Sequence, residues 1–199
     1  MNLYLIENTT APWGDWGDIL WCGVISYDDS MNQYLIDRIG PYTPPAFFSC
    51  GNLVVTEQVK NLLEKSDLKG IKFSKEVKKR KIVHLDWMTW DKTKHISHYL
   101  DDLGEPEDII YDRENDKELL ASMPNYWLAD IPEKINLLLD KASASENPSE
   151  YIYIDNSPSV YSDFYQGIER LGCFISPKAK TWLDKHCPNC FKTYPISNK

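Results

Sequence analysis

Two cysteines near the end of the chain have the spacing of a metal or redox motif. Cys187-Pro188-Asn189-Cys190 is a C-x-x-C sequence, which can supply half of a zinc site or a reactive dithiol. A four-ligand zinc site needs two further thiols or imidazoles, and the sequence has no second C-x-x-C. A redox C-x-x-C opens a helix, whereas this one follows a predicted helix. We therefore favour loop cysteines, with zinc binding and redox chemistry as the alternatives.

Two histidines could share one helix face. His95 and His98 are three positions apart, and Asp101 or Asp102 could supply a further metal ligand. We favour a solvated helix face, because carboxylates are frequent throughout this part of the sequence. No G-x-S-x-G, H-E-x-x-H, P-loop or G-x-G-x-x-G motif occurs. The sequence therefore predicts no catalytic residue, no cofactor and no bound metal.

Large aromatic residues alternate with acids in the middle of the chain. Trp87, Trp90 and Tyr99 are the aromatic members. The acids that interleave with them are Asp86, Asp91, Asp101 and Asp102. The candidate acidic residues of a binding surface are Asp101, Asp102, Glu105, Glu107 and Asp108. One interpretation is that the aromatic residues are core and the acids form a solvated face. The other is a protein-binding surface, since aromatic anchors surrounded by charge suit interfaces. The sequence leaves both interpretations open, and it makes Trp87 and Trp90 the candidate anchors.

Charge is distributed unevenly along the 199 residues. Residues 86–155 carry a net charge of −11, residues 56–85 carry +5, and the whole chain carries −8 with a pI of about 5.0. An acidic protein is poorly suited to binding nucleic acid directly. It attracts a basic partner and accelerates the encounter with it. We therefore expect a basic protein partner.

A strand–helix–strand pattern occurs twice, 120 positions apart, and must position these residues. The first copy begins at Val55-Thr56 and the second at Ile175-Ser176. Thr56 and Ser176 occupy predicted helix N-caps, where a hydroxyl accepts a hydrogen bond from backbone N–H groups. The helix positions that recur are Lys60, Leu63, Glu64 and Lys65 in the first copy, and Lys180, Leu183, Asp184 and Lys185 in the second.

The remaining pattern predicts an α+β fold, with a mixed, mainly antiparallel sheet, short helices and two similar strand–helix–strand units. Other predicted strands cover residues 2–6, 19–27, 34–36, 81–85 and 151–154, and other predicted helices cover 93–102, 132–141 and 162–171. Composition divides the chain into a β-rich part (1–85), an acidic middle segment (86–150) and a C-terminal part (151–199). We expect the three parts to form one compact domain.

The sequence also suggests a compartment. Its first residues lack the basic and apolar regions of a signal peptide, and no stretch approaches the ~18 apolar residues of a membrane helix. We therefore expect a cytoplasmic protein without membrane contact. Five cysteines at irregular spacing are then expected to be free thiols.

One part of the sequence resembles cytosolic immunity proteins of bacterial polymorphic toxin systems. The resemblance lies in Leu35 to Tyr42 with its D-R-x-G-P turn, Leu53 to Thr56, Leu62-Leu63, and Gly70 to Phe73. It covers residues 34–85, and residues 151–196 through the second copy of the repeated pattern. Thr56 departs from the family pattern, which has Ser at this position.

The resemblance implies an antitoxin that binds and neutralises a cognate toxin domain by occlusion, without chemistry. Because such proteins share a scaffold and differ in partner, no functional residue is transferred from the family. Two alternatives stay open: an enzyme that reverses a toxin's modification, and a zinc-binding interaction module that uses Cys187 and Cys190.

Overall fold

The computed structural model describes residues 2–101, 104–140, 145–155 and 161–199. Within them the fold is α+β, with mixed sheets in which antiparallel pairs predominate. The α-helices are α1 (Asp15–Cys22), α2 (Glu57–Glu64), α3 (Asp108–Tyr111), α4 (Lys117–Ser122) and α5 (Pro177–His186). The strands are β1 (Leu3–Asn8), β2 (Val24–Asp28), β3 (Gln33–Gly40), β4 (Ala46–Ser49), β5 (Asn52–Thr56), β6 (Lys72–His84), β7 (Tyr126–Asp130), β8 (Lys134–Ile135), β9 (Leu137–Leu139), β10 (Ile152–Ile154), β11 (Phe164–Gly167), β12 (Cys173–Ile175) and β13 (Phe191–Ile196).

Two main sheets and one hairpin contain these strands. The larger sheet has the order β2-β3-β6-β7-β5-β4, the smaller one has the order β13-β1-β12-β11-β8, and β9 pairs with β10. No helix among the described residues combines the length and apolar composition that crossing a membrane requires.

The two predicted strand–helix–strand units are present as β5–α2–β6 and β12–α5–β13. In each unit, both strands pair antiparallel with one strand that lies between them, which is β7 in the first unit and β1 in the second. The registers agree, because Val55 pairs with Trp127 as Ile175 pairs with Tyr4. The two units are therefore built on the same local topology.

Side-chain contacts repeat along with the backbone. The Lys60 ammonium lies 4.5 Å from the Trp127 ring centroid, and the Lys180 ammonium lies 5.8 Å from that of Tyr4. Lys60 also pairs with Glu64 four residues later, as Lys180 does with Asp184. These contacts place the two helices alike over their sheets.

The likeness extends over both ends of the chain. A strand pairs antiparallel with the start of each unit (β4 with β5, β11 with β12), and a hairpin precedes it (β2–β3, β9–β10). β3 runs parallel beside β6, and Ile154 at the end of β10 forms a parallel bridge with Asn198 just beyond β13. We call residues 2–84 the first repeat and residues 125–198 the second repeat. Residues 85–124 join them.

Successive side chains of a strand point to opposite faces of its sheet, and the buried side chains form three hydrophobic clusters. Val55 and Leu63 of the first repeat share one cluster with Ile175 and Leu183 of the second, so the two units bury their helices in a common core. Val54 points to the opposite face of its sheet, which α1 and residues 85–124 cover. The far face of the smaller sheet forms the third cluster, with the β9–β10 hairpin.

The strand predicted for residues 19–27 is half wrong, because Ile19 to Cys22 belong to α1. The helix buries Gly17, Leu20 and Trp21, which lie three and four positions apart as one helix face requires. Asp15 and Asp18 favour its first turn electrostatically, and β2 begins only at Val24.

Two predicted helices are strands. Residues 164–167 form β11, in which Phe164 and Tyr165 are both fully buried but in different clusters, so the strand is covered on both faces. The apolar stripe expected for a helix here is not buried, since Ile168 and Leu171 are 54% and 76% exposed. Residues 132–140 contain β8 and β9 in place of a helix, and Lys141, the last residue of that predicted helix, lies outside the described residues.

Other boundaries also differ. The helix expected at 93–102 is reduced to a 3-10 turn, Ile96–His98, and its last residue, Asp102, lies outside the described residues. The strand expected at 81–85 corresponds to the last four residues of β6, which is 13 residues long and ends at His84.

Candidate protein-binding surface

Among the residues that the structure describes, the segment that joins the repeats has no counterpart within either of them. Residues 85–124 contain 3-10 turns at Trp87–Thr89 and Ile96–His98 and the short helices α3 and α4. Ile110 and Met123 of this segment are buried against the larger sheet. The segment is thus held on the folded core, and its polar side chains face outward.

Trp87 belongs to the core. It is 1% exposed, and its ring packs edge-on against Tyr42, with 5.6 Å between the centroids. This corrects the candidate assignment of Trp87 as a binding anchor, because a partner cannot reach it in this structure. The alternative, that this tryptophan is a core residue, is the correct one.

Trp90 lies in a surface cluster of three aromatic rings. Its ring stacks on Tyr99, with a centroid distance of 4.5 Å and an interplanar angle of 5°. Trp13 packs edge-on against both rings, at 5.8 Å from Trp90 and 6.4 Å from Tyr99. All three side chains are partly exposed. The contacts fix the rings relative to one another, which lowers the entropy that a partner's binding would cost.

Hydrogen bonds hold this cluster to the backbone. The Trp13 indole N–H donates to the carbonyl of Lys94 at 2.9 Å, which ties the start of α1 to the joining segment. The Tyr99 hydroxyl accepts from the backbone N–H of Asp91 at 2.7 Å. The Trp13 N–H and the Tyr99 hydroxyl are therefore satisfied within the protein, and the exposed parts of the rings offer apolar area for contact.

An acidic cleft of about 350 Å³ lies beside the cluster. Its lining residues are Trp16, Tyr99, Leu100, Asp101, Asp108, Ile109, Asp112 and Arg113. Carboxylates outnumber cations in this lining, so the cleft has a net negative charge. Tyr99 belongs to both features and makes them continuous. We call Trp13, Trp90, Tyr99, Asp101, Asp108 and Asp112 together the acidic aromatic surface.

The remaining predicted acids are Glu105 and Glu107, which are near the cleft in sequence, and Asp102, which is outside the described residues. Glu105 and Glu107 precede α3 and do not line the cleft, although the backbone N–H of Glu105 donates to the Asp108 carboxylate at 2.8 Å. Asp108 therefore has a structural role as well as a charge. Asp102 is the acid that the described ranges leave out.

A further carboxylate, that of Asp91, lies near the aromatic cluster. Hydrogen bonds from the Thr93 hydroxyl, at 2.7 Å, and from the Thr93 backbone N–H lower the pKa of Asp91. Asp91 is exposed and adds its charge to the same side of the molecule.

The cysteine motif lies elsewhere, in the core shared by the repeats. Cys187 and Cys190 are 2% and 0% exposed, and burial raises the pKa of the Cys187 thiol to about 12. The His95 ring accepts a hydrogen bond from the Ser97 backbone N–H. In the part of the chain that the structure describes, no group of three or more His, Cys, Asp or Glu side chains is placed to hold a metal ion.

Sequence reasoning missed three residues of this region. Trp13 precedes α1 and Trp16 lies in its first turn, far along the chain from the joining segment, and Asp112 follows α3. The two tryptophans within a Pro- and Gly-containing stretch were a usable signal, because large aromatic side chains there must pack against another part of the chain. The sequence matches no protein-family model, and no curated protein sequence matches it.

Proposed function

We propose that the chain is a cytoplasmic immunity protein that binds a toxin domain and neutralises it by occlusion, using the acidic aromatic surface. The observation that carries the binding role is the ordered Trp90–Tyr99 stack directly beside a net negative cleft. The class of partner comes from the resemblance to immunity proteins in residues 34–85.

The geometry suits a basic protein partner. The stacked rings offer flat apolar area at low entropic cost, and aromatic anchors of this kind often contribute most to binding energy. The carboxylates of Asp101 and Asp112 are exposed at the side of the cleft, where they attract a Lys or Arg side chain. The cleft volume of about 350 Å³ is sufficient to receive one such side chain.

The location of the surface agrees with this role. The two repeats supply a scaffold, and the surface lies mainly on residues 85–124, which are present once per chain. We therefore expect one toxin domain per immunity protein. Occlusion needs no reacting group. It requires only that the bound chain cover the toxin's active site or another surface that the toxin needs for activity.

The test is co-expression in a bacterial host with the toxin domain encoded beside the gene for this chain. We expect growth to be rescued, and the purified proteins to form a complex of 1:1 mass in solution. An Asp101→Lys variant should rescue less well, whereas Asp29→Lys, at an exposed acid on the β2–β3 turn, should rescue fully. Failure of the unaltered chain to rescue growth or to form the complex would refute the proposed function.

A further inference from the structure

We propose that the two halves of the chain form an obligate strand-exchanged pair, in which each half is the binding partner of the other. β7 belongs to the second repeat but lies between β5 and β6 of the first. β1 belongs to the first repeat but lies between β12 and β13 of the second. The slot between β12 and β13 is thus a binding site for an extended segment whose apolar side chains are buried on both faces. This inference is independent of the proposed function.

The exchanged strands are bonded along both edges. β1 pairs with β12 at three positions and with β13 at six, and β7 pairs with β5 at three and with β6 at four. Withdrawing either strand would open two edges at once in the middle of a sheet. Open edges of this kind expose unpaired backbone groups and favour aggregation.

The exchanged side chains lie deep in the core. Leu5 of β1 is 1% exposed in the cluster of the second repeat, while Ile6 is 2% exposed in the shared cluster. Tyr126 of β7 is fully buried in the cluster of the first repeat. A half-chain on its own would therefore lack central core residues as well as backbone partners.

The turns after the two helices add contacts between the repeats. Lys69, after α2, accepts a hydrogen bond from the backbone N–H of Asp163 and donates its own N–H to the Asp163 carboxylate, both at 2.9 Å. The carbonyl of Cys190, after α5, accepts a hydrogen bond from the backbone N–H of Thr9 at 2.9 Å. Each turn thus attaches to the other half.

The covalent connection between the halves can be cut away from these contacts. Arg113 and Glu114 are both exposed in the joining segment, between α3 and α4. A protease recognition sequence inserted between them leaves β1 and β7 in different fragments. The full chain can then be folded first and cleaved afterwards.

The experiment cleaves the folded chain, separates the two fragments in denaturant, and returns them to buffer alone and mixed. We expect each fragment alone to lack a cooperative thermal transition. The mixture should recover a 1:1 complex with the circular dichroism spectrum and melting transition of the cleaved chain. A cooperative transition in either single fragment, or failure of the mixture to recombine, would overturn the proposal.

Two variants of the first fragment provide a matched control. Leu5→Asp places a charge in the exchanged strand and should reduce recombination at least tenfold. Leu62→Asp places the same charge on the exposed side of α2, where the leucine is 38% exposed, and should leave recombination unchanged. Equal recombination of the two variants would also count against strand exchange.

Discussion

The hydroxyl group of Ser176 makes two hydrogen bonds that the equivalent Thr56 does not make. Ser176 Oγ accepts from the backbone N–H of Ala179 at 3.1 Å and donates to the Asp163 carboxylate at 2.6 Å. Thr56 has the same extended N-cap backbone, but its side chain forms no capping bond. The expected N-cap position is therefore confirmed at both residues, whereas the expected hydroxyl cap is confirmed only at Ser176.

This difference predicts unequal effects of removing the two hydroxyl groups. Ser176→Ala should lower the free energy of unfolding by about 1–2 kcal/mol, because a helix N–H and a buried carboxylate both lose a partner. Thr56→Ala should cost less, about 0.5–1 kcal/mol, since no hydrogen bond of the cap is lost and the cost comes from the buried methyl group. Urea denaturation of both variants measures the difference, and equal losses would contradict the assignment.

The cysteines should differ in reactivity according to their burial. Cys50 is exposed, while burial raises the pKa of Cys22 and of Cys187 to about 12 and that of Cys190 above its usual value. At pH 8 almost no reactive thiolate is therefore present at the buried positions. A thiol reagent should modify one cysteine rapidly in the folded protein, and all five in denaturant.

The Cys50→Ser variant is the control for this labelling. This variant should lose the rapid modification of one cysteine, and the slow modification of the four buried cysteines should be unchanged. Rapid labelling of Cys187 or Cys190, or recovery of the two as a disulfide, would show that the C-x-x-C pair is reactive after all.

At the scale of elements, the sequence predicted the strand–helix–strand units well because several local signals agree there. A β-branched strand end, a cap residue and an amphipathic helix follow one another at Val55-Thr56 and again at Ile175-Ser176. Pro177 adds a further start signal for α5. Agreement between independent signals is what made these elements predictable.

The wrong assignments occur where burial depends on distant strands. Phe164 and Tyr165 face two different clusters, so their neighbours carry no period of two that could indicate a strand. Leu137 and Leu138, predicted as helical, alternate between 3% and 38% exposure in β9. Helical spacing in such short apolar runs is coincidental and cannot be distinguished from a strand by pattern alone.

The candidate surface was predictable only in part, because some of its residues are brought together by the fold and not by their spacing in the sequence. The local sequence is sufficient to predict Trp90, Asp101 and Asp108, from an aromatic residue among acids and from the concentration of negative charge in residues 86–155. Trp13 lies beside these residues only in the folded chain, where its indole N–H donates a hydrogen bond to the Lys94 carbonyl. Whether Trp87 is buried depends on α1 and the larger sheet, which no local pattern reveals.

Asp163 joins two elements of different repeats, and its removal should be costly. The side chain is fully buried, and it accepts hydrogen bonds from the Lys69 backbone N–H and the Ser176 hydroxyl. Asp163→Ala would leave both donors unpaired, so we expect a loss of about 2–4 kcal/mol in unfolding free energy. Asp163→Asn keeps an acceptor oxygen and should lose less.

Calorimetric melting of the two Asp163 variants tests this connection. Exposed Asp155→Ala is the control and should melt with the unaltered protein. If Asp163→Ala also melted unchanged, the carboxylate would not be what attaches the turn after α2 to the second repeat.

At the scale of the whole molecule, the repeated architecture explains where the charge lies. The scaffold of two repeats includes the basic strand β6, while the acidic middle of the sequence supplies the joining segment and its cleft.

The exchange of β1 and β7 between the repeats could not be predicted from the sequence, because the two strands share only a short likeness, Asn2 to Leu5 with Asn125 to Leu128. Strand order is set by long-range pairing that such a short match cannot specify.

The carboxylates of the acidic aromatic surface should govern the rate at which a toxin domain associates. Reversing Asp101 and Asp112 to Lys should slow association about tenfold at low salt and weaken its salt dependence, because the steering field is reduced. Both acids are exposed, so the melting temperature should change little. Stopped-flow association at several salt concentrations measures the effect, with Asp29→Lys as the control for a charge change elsewhere.

The aromatic stack should govern how long the complex lasts. Trp90 is partly buried at the edge of the main hydrophobic cluster, and its ring packs on Tyr99 at the surface, so Trp90→Ala removes contact area together with some packing at that edge. We expect a loss of about 2 kcal/mol in affinity, expressed mainly as faster dissociation, with a small fall in melting temperature. Trp182, stacked on His186 of α5, is the matched control, and Trp182→Ala should leave affinity unaltered. If Trp90→Ala and the charge reversals all bind like the unaltered chain, the toxin domain contacts another face.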